Sequence, residues 1–382
     1  MADTASMARS ANVTSFGRMK PEDLDAARMD MALAIAQRGW GQTAPNPMVG
    51  AVVFNGNEKA GEGFHARFGA PHAEAMALAD AGGRARGGTL YVNLEPCNHI
   101  GRTQPCTDAI IAAGIARVVA AMPDPNPVAS GGAQRLRAAG IAVDFGVHER
   151  EARELNAPFI HRMTSDRPWV TLKLALSLDG AISGAHSGAH RTKGWLTNEQ
   201  SRAVVQRMRA NSDAIAVGAQ TAIADDPKLT ARTDPPPRVL PTRIVFDRSA
   251  RLSPKTVLAR TARDIPTLLV TSSSVTLPPA LARLGVDAIP AHDLGEALRT
   301  LRERGVNSLL VEGGAGLAAS FLAGGYVDRL VIFRAPVILG DGALGGFSGI
   351  AAQEPDHAPR FELIDVRALG DDVMTVYSVR RP

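Results

Sequence analysis

The sequence is poor in cysteine, in aromatic residues and in lysine. Its 382 residues include 2 Cys, and only 4% of them are aromatic. Two cysteines are too few to cross-link a chain of this length, so the burial of apolar side chains rather than disulfide bonds must hold the fold together. This composition is typical of a reducing compartment, and we expect the protein to be cytoplasmic.

Long apolar runs are also missing. A membrane-spanning helix needs about eighteen or more consecutive apolar residues, and no stretch approaches that length, so we expect no membrane association. Residues 1–22 lack the apolar core of a secretory signal and predict a flexible N-terminal extension.

Charge of one sign is not in large excess. The chain has 42 Lys+Arg and 38 Asp+Glu, a net charge of +4, and only six of the basic residues are lysine. The arginines are scattered along the chain, which is a weak nucleic-acid signal, so we expect no nucleic-acid partner. The hydrophobic fraction of 45% excludes a disordered chain, and the length allows two or three domains.

Helical and strand patterns alternate along the chain, which predicts an α/β fold. In the first half we predict helices at 22–38, 72–79, 106–113 and 132–139, and strands at 49–54, 89–93, 116–121 and 141–145. In the second half we predict strands at 169–176, 213–217, 242–246, 267–271, 308–311 and 327–333. A polar stretch separates the halves, so we expect an extension at 1–22, a first domain at 23–150, a linker at 151–167 and a second domain at 168–382.

The residue types that bind zinc are concentrated in the first half. The sequence has His72-Ala73-Glu74, then Pro96-Cys97 and, after eight intervening residues, Cys106. Three protein ligands leave a fourth position for water, which is typical of a catalytic zinc site. We predict that His72, Cys97 and Cys106 bind zinc. Glu74 follows at the same helix start, close enough to move protons without binding the metal.

Another interpretation of this pattern stays open. A purely structural zinc module needs a fourth protein ligand, for which His99 is the nearby candidate. The pattern H-x-E…P-C-x-x-C is typical of zinc deaminases that act on nucleobases. This sequence departs from that pattern, because eight residues rather than two separate its cysteines.

Residues 44–53, 63–74 and 93–127 closely resemble the deaminase half of the bifunctional riboflavin-biosynthesis deaminase/reductase family, in which the longer loop between the cysteines is the norm. The resemblance covers residues 23–148 and implies a cytidine-deaminase-like zinc domain. It supports the predicted zinc ligands and implies that Glu74 is the proton shuttle. It also implies a substrate pocket lined by Asn46, His65 and His99.

A second pattern lies at 307–322, where an apolar strand, a glycine turn and a helix follow one another. Backbone N–H groups at such a turn can approach a phosphate closely. The spacing of Gly313, Gly314 and Gly316 is not the G-x-G-x-x-G of dinucleotide-binding folds, so on its own the turn is explained better by tight packing.

Together with 170–183, 195–197 and 208–232, this turn resembles the reductase half of the same family. The resemblance implies a dihydrofolate-reductase-like domain that follows the deaminase and uses NADPH. Asp225 is a candidate general acid of the reduction. The positions that the resemblance assigns to the cofactor are Leu176, Trp195, Thr221, Asp225, Gly314, Ala315, Gly316, Leu317, Ala318, Ala319 and Ser320. The positions it assigns to the substrate are Lys193, Arg209, Leu229, Arg232 and Glu312, and Lys193 lies in a loop (183–194) that is longer than the family pattern.

The resemblance implies a bifunctional enzyme of riboflavin biosynthesis. Zinc-dependent deamination of 2,5-diamino-6-(5-phosphoribosylamino)pyrimidin-4(3H)-one comes first. Reduction of the ribosyl group by NADPH then gives 5-amino-6-(5-phosphoribitylamino)uracil. A homodimer formed through the reductase domain is expected from the family. The alternative is a zinc deaminase for another nucleobase or a nucleic acid, with an inactive or differently specific reductase-like domain.

Overall fold

The structure, a computed structural model, describes residues 20–99, 104–184 and 195–379. Lys193, with most of the loop at 183–194, lies outside the described residues, as does nearly all of the predicted extension. The chain forms two compact units: unit 1 contains the chain up to Gly39 and Met48–Leu155, and unit 2 contains Trp40–Pro47 and Asn156–Pro382. No helix of the described part is both long and apolar enough to cross a membrane.

Unit 1 is a sheet with helices packed on it. Its helices are α1 (Pro21–Ala36), α2 (Ala73–Ala81), α3 (Cys106–Ala113), α4 (Gly132–Ala138) and α5 (Glu149–Leu155), with short 3-10 turns at Gln37–Gly39 and Gly82–Ala85. Its strands are β1 (Gly50–Asn55), β2 (Glu58–Phe64), β3 (Thr89–Val92), β4 (Arg117–Ala120) and β5 (Ala142–Phe145).

The five strands are ordered β2-β1-β3-β4-β5. β3, β4 and β5 are parallel, whereas β1 is antiparallel to both of its neighbours. Because parallel strands point the same way, the chain segments that leave β3 and β4 emerge at the same edge of the sheet. That edge carries the segment that contains Cys97.

Unit 2 is built around a larger sheet. Its helices are α6 (Ala157–Thr164), α7 (Glu199–Ala210), α8 (Ala219–Asp225), α9 (Val257–Arg260), α10 (Pro279–Arg283), α11 (Leu294–Glu303) and α12 (Ala315–Ala323). Its strands are β6 (Trp169–Leu176), β7 (Ala181–Ser183), β8 (Ala214–Gly218), β9 (Thr242–Phe246), β10 (Thr267–Ser272), β11 (Asp287–Ala291), β12 (Ser308–Val311), β13 (Arg329–Arg334), β14 (Leu344–Gly345), β15 (Phe361–Leu369) and β16 (Asp372–Val379).

Nine strands of unit 2 form one sheet in the order β11-β10-β9-β8-β12-β6-β13-β16-β15, and β14 pairs with β7. The seven strands from β11 to β13 are parallel, and β16 and β15 add an antiparallel pair at one side. The parallel strands carry near-continuous apolar runs, because helices cover both faces of such a sheet. Ligands of open parallel sheets bind at the carboxyl ends of the strands.

The predicted α/β class is confirmed, and several strands match their predicted bounds, with β6, β9 and β12 at 169–176, 242–246 and 308–311. Other elements have no counterpart among the predicted ones, notably β2 and the β15–β16 pair. The predicted linker at 151–167 contains the end of α5 and all of α6, so it is largely helical.

Candidate functional site

Three elements of unit 1 bring the predicted zinc ligands together. His72 is the N-cap of α2, and Cys106 is the first residue of α3. Cys97 lies in the irregular segment after β3. Both cysteines are buried and neither forms a disulfide. Helix starts therefore present two of the ligands, and a loop at the sheet edge presents the third.

The ligand atoms are spaced as a zinc ion requires. His72 Nδ1 lies 3.2 Å from Cys106 Sγ and 3.5 Å from Cys97 Sγ, and all three atoms lie within 4.8 Å of one another. Nitrogen and sulfur bound to zinc at about 2.1 Å and about 2.3 Å with tetrahedral angles are about 3.6 Å apart. The residues therefore fit a zinc ion that keeps one position open. Among the described residues this cluster has three members, and His99 is not one of them.

The cluster favours the form of cysteine that binds metals. The neighbouring Cys106 thiol, and then the His72 ring, lower the pKa of Cys97 to about 4. The same contact with Cys97 raises the pKa of Cys106. One thiolate is thus already stabilised within the pair, and a thiolate is the ligand that zinc takes.

Glu74 lies in the first turn of α2, beside the cluster but outside it. Its side chain is 4% exposed and is within hydrogen-bonding reach of the Cys106 thiol. Burial, followed by the negative charge of Cys97, raises the pKa of Glu74 to about 7. A carboxyl group in this range can both accept and release a proton at neutral pH.

The three residues predicted to line the deaminase pocket have different surroundings. His65 is buried, and its ring meets that of His72 edge to face at 5.7 Å. Burial lowers the pKa of His65, which favours a neutral ring. The Nδ1 atom of His99 is buried and has no hydrogen-bond partner in the part of the chain that the structure describes. Asn46 belongs to the segment Trp40–Pro47 of unit 2, whereas the two histidines belong to unit 1.

The predicted cofactor turn of unit 2 lies between two parallel strands. β8 and β12 are neighbours, and α8 and α12 follow them at the same edge of the sheet. Gly314 is the N-cap of α12, and a Cβ added to it would lie 3.1 Å from Thr221 Oγ1. The structure therefore brings Gly314 and Thr221 together. Without a side chain at Gly314, the N–H groups at the start of α12 are open to a phosphate.

The other predicted cofactor residues lie on several elements of unit 2. Leu176 ends β6, the other neighbour of β12, and is 1% exposed. Asp225 ends α8, and Trp195 is 75% exposed with the Arg202 guanidinium 5.4 Å from its ring centre. Ser320 donates a hydrogen bond to the Gly316 carbonyl at 2.9 Å. The first turns of α12 contain Ala315, Gly316, Leu317, Ala318 and Ala319.

Arg209 and Glu312, both predicted to contact the substrate, bind each other. Arg209 donates from Nε and from a terminal nitrogen to the two carboxylate oxygens of Glu312, at 2.5 and 2.8 Å. Its remaining terminal nitrogen donates to the Thr230 carbonyl at 3.1 Å. Burial opposes ionisation of Glu312, yet Arg209 and then Lys173 hold its pKa below the usual value. The two residues form a largely buried ion pair beside the cofactor turn.

Two further substrate predictions fall on the chain after α8. Leu229 has a φ of +47° and is 3% exposed, in a cluster with Ile215 and Val245. Its side chain therefore packs in the core, which leaves its backbone for any contact with a ligand. Arg232 is exposed and donates to Thr230 Oγ1 at 3.0 Å. Lys193 lies outside the described residues.

Comparison with known proteins identifies both units. Residues 22–122 match the cytidine and deoxycytidylate deaminase zinc-binding region, and residues 168–375 match the RibD C-terminal domain. Riboflavin biosynthesis protein RibD of Aquifex aeolicus (strain VF5) is 42% identical over 358 residues, which cover 93% of this chain and 98% of that protein. The chain belongs to the RibD family.

Other RibD relatives agree. RibD of Escherichia coli (strain K12) is 41% identical over 370 residues, which cover 91% of this chain and 98% of that protein. A Thermotoga maritima structure described as a diaminohydroxyphosphoribosylaminopyrimidine deaminase/5-amino-6-(5-phosphoribosylamino)uracil reductase matches with a TM-score of 0.81 and 36% identity, covering 94% of this chain and 99% of that one. Acinetobacter baumannii RibD, form 1, matches with a TM-score of 0.80 and 36% identity, covering 94% and 100%.

Membership of the RibD family establishes the activity. The chain is a bifunctional enzyme of riboflavin biosynthesis. Its deaminase activity is that of a hydrolase, and its reductase activity is that of an oxidoreductase. Its cofactors are zinc and NADPH, and its substrates are small molecules of that pathway. The predicted family and fold class, with a cytidine-deaminase-like domain followed by a reductase domain, are confirmed.

Two charged residues near these centres were missed by sequence reasoning. Lys173 lies on β6. Burial lowers the pKa of its amine, and the negative charge of Glu312 acts in the opposite direction. Lys173 is the single charged residue within the apolar strand, and that contrast is the signal that could have revealed it. Asp124 follows β4, and burial raises its pKa to about 6, with Glu95 and Cys97 acting in the same direction. Among the turn residues that surround it, nothing in the sequence marks it.

Proposed function

We propose that the RibD reactions are divided between the two parts of the chain. Residues 23–150 catalyse the deamination of the diaminohydroxyphosphoribosylaminopyrimidine, and residues 168–382 catalyse the reduction of the resulting 5-amino-6-(5-phosphoribosylamino)uracil. Residues 151–167 link the two domains, and residues 1–22 are an extension. The names of both substrates come from the Thermotoga maritima relative.

The deamination needs a site that activates water and moves protons. In the proposed site His72, Cys97 and Cys106 hold zinc, which supplies Lewis acidity and a nucleophile from water at neutral pH. Glu74 transfers a proton from the attacking water to the departing ammonia, because it is buried beside the three ligands but is not a member of their cluster. His65 and His99 line the pocket for the pyrimidine, together with Asn46.

The reduction needs a cofactor and a substrate placed against each other. When bound, NADPH would supply the hydride for reduction at C1′ of the ribosyl group. Gly314 and the start of α12 receive the pyrophosphate, and Thr221 lies against that turn. Leu176, Trp195 and Asp225 complete the cofactor site, the last as the candidate acid.

The substrate side of this site combines charged groups with backbone. The ion pair of Arg209 with Glu312 shapes the pocket and is supported by the nearby Lys173. Arg232 is exposed, and its guanidinium group is well suited to bind a phosphate monoester. The backbone of Leu229 and the side chain of Lys193 complete the proposed set.

One observation carries the proposal for the deaminase site. Three ligand atoms from His72, Cys97 and Cys106 converge at zinc spacing, with Glu74 buried beside them. A structural zinc module would use four protein ligands. The geometry therefore favours a catalytic zinc site over a structural one.

The test of that site is the substitution Glu74→Gln. It keeps the size of the side chain but removes the group that moves the proton, so we expect normal zinc content and a loss of ammonia release of about 10²- to 10⁴-fold. Oxidation of NADPH with the deaminated substrate, measured on the same sample, should be unchanged. Glu58→Gln, an exposed glutamate of β2, is the matched control. Wild-type ammonia release by Glu74→Gln would refute the role of Glu74.

We also propose that the protein is a cytoplasmic homodimer formed through the reductase domain, with no nucleic-acid partner. The family resemblance supports the dimer, and the scattered arginines speak against nucleic-acid binding. Light scattering of the purified chain tests the proposed dimer, since a monomeric mass excludes it. Ammonia release from single-stranded oligonucleotides would contradict the second.

A further inference from the structure

Of the three proposed zinc ligands, Cys97 is the one that lies neither within nor next to a helix or strand. His72 caps α2 and Cys106 begins α3, so a helix fixes the backbone at each of them. β3 ends at Val92, and the segment 93–98, here called the Cys97 segment, belongs to no helix or strand. Contacts outside the sheet ladder must therefore hold this ligand in place.

The carboxylate of Glu95 links that segment to two other parts of unit 1. Its side chain is 6% exposed, and one oxygen accepts the backbone N–H of Ala133 at 2.9 Å. The other oxygen accepts the backbone N–H of Asp124 at 3.1 Å. Ala133 lies in the first turn of α4 and Asp124 follows β4. One carboxylate thus ties the Cys97 segment to two other elements, through bonds that the negative charge strengthens.

Backbone packing closes the segment on both sides of Cys97. A Cβ added to Gly132 would lie 1.9 Å from the carbonyl oxygen of Pro96, so the start of α4 rests directly on the residue before the ligand. The N–H of Asn98 donates to the Ala129 carbonyl at 3.1 Å on the other side. The chain between 124 and 133 therefore contacts the residues before and after Cys97. The Glu95 carboxylate adds hydrogen bonds to both ends of that stretch.

We propose that Glu95 is a positioning residue for the zinc ligand Cys97. It touches neither zinc nor substrate in this proposal; it fixes the backbone from which the Cys97 sulfur reaches the metal. The inference rests on the proposed role of Cys97 as a ligand. Replacing groups that orient metal ligands weakens metal binding or activity by about 10- to 100-fold.

The test is the substitution Glu95→Gln in the intact zinc-loaded protein. The amide keeps the shape of the side chain but offers an NH₂ group where one backbone N–H needs an acceptor. We expect zinc release to an excess of a metallochromic chelator to accelerate about 10- to 100-fold. After replacement of zinc by cobalt, the thiolate-to-cobalt absorption band should shift, because the Cys97 sulfur changes position.

Two companion variants separate positioning from mere stability. Asp25→Asn removes another part-buried carboxylate of unit 1, which accepts from Tyr91 at 2.6 Å and from Arg117. It should lower the melting temperature of unit 1 but leave zinc release and the cobalt spectrum unchanged. Glu95→Asp keeps the charge on a shorter side chain and should release zinc at an intermediate rate; it decides the question if Glu95→Gln does not fold.

Two results would overturn the proposal. One is a wild-type rate of zinc release with a wild-type cobalt spectrum in whichever Glu95 variant folds. The other is an equal acceleration in Asp25→Asn, which would assign the effect to general destabilisation. Cys97→Ala distinguishes failure of the underlying ligand set. If that variant retains zinc as the wild type does, the ligand assignment is wrong, whereas if it loses zinc, the results for the Glu95 variants bear on Glu95 alone.

Discussion

At the scale of single residues, the reductase unit contains three charged side chains that are largely buried and interact with one another. Arg209 and Glu312 are 13% and 10% exposed in their side chains, and Lys173 lies close enough to act on the charge of Glu312. Removing one partner of a buried ion pair leaves an uncompensated charge, which costs about 3–5 kcal/mol. Each of the three residues is therefore constrained by the other two as well as by any ligand.

This arrangement predicts a pH dependence of stability. The pKa of Glu312 is opposed by burial but held below its usual 4.5 by Arg209 and Lys173. A lowered folded-state pKa contributes stability above 4.5, and that contribution is lost as the pH falls from 4.5 toward the folded-state value. We expect Glu312→Gln to lose this part of the stability and to respond less to acid than the wild type.

Urea denaturation followed by tryptophan fluorescence, at neutral pH and below 4.5, measures the effect. The chain has 3 Trp, at Trp40, Trp169 and Trp195, and all belong to unit 2, so the signal reports on the reductase unit. Glu354→Gln, at an exposed position of the same unit, is the control. A variant midpoint that falls with acid as steeply as that of the wild type would contradict the prediction.

At the scale of elements, small residues decide how closely α2 approaches the sheet. A Cβ added to Gly63 on β2 would lie 2.4 Å from the backbone nitrogen of Ala77, and one added to Gly61 would lie 2.5 Å from the Ala77 carbonyl oxygen. The helix thus rests directly on the strand backbone. Since α2 begins beside His72 and carries Glu74, this spacing sets the position of two groups of the zinc site.

We therefore expect Gly63→Ala to push α2 away from β2, with a loss of about 1–3 kcal/mol in the stability of unit 1. Deaminase activity should disappear at a lower temperature during heating, while the reductase activity of the same sample keeps its profile. Gly83→Ala is the matched control, because nothing lies within 4 Å of a Cβ at that position. Equal heat resistance of the two variants would show that α2 adapts at no cost.

The same strand explains why sequence reasoning succeeded only in part. Strand β12 was predicted with its observed bounds, because burial on both faces leaves a continuous apolar run. β2 reads EKAGEGF, and glycine and charge are unfavourable in strands, so pattern alone argues against it. Its glycines serve contact with α2, the helix that follows it, and the alternation that predicts strands does not reveal such packing.

The sites follow the same logic. Zinc ligands could be predicted because few residue types bind zinc and their order in the chain is specific. The mutual bonding of Arg209 and Glu312 could not, since 103 positions separate them and only the sheet order brings them together. Lys173 and Glu95 act through burial, which depends on the whole unit.

At the scale of the whole molecule, each compact unit contains the residues proposed for one of the two reactions, apart from Asn46. The ligand cluster and Glu74 lie in unit 1, and the glycine turn with its partners lies in unit 2. The two chemistries therefore have separate requirements for their cofactors.

Removal of zinc should separate the two activities. Treatment with a strong chelator is expected to abolish ammonia release from the diaminopyrimidine substrate but to leave NADPH oxidation with the deaminated substrate unchanged. Adding back zinc should restore the first activity. A parallel loss of NADPH oxidation on chelation would mean that the metal supports both reactions, contrary to the division proposed for the chain.

The cysteine content has a practical consequence. The chain has 2 Cys, and both are in the cluster with His72. A chromogenic thiol reagent therefore meets no background elsewhere in the protein: every equivalent that reacts reports a sulfur released from the metal. Counting reactive thiols over time would follow the occupancy of the deaminase centre in a single cuvette, without mutation or substrate.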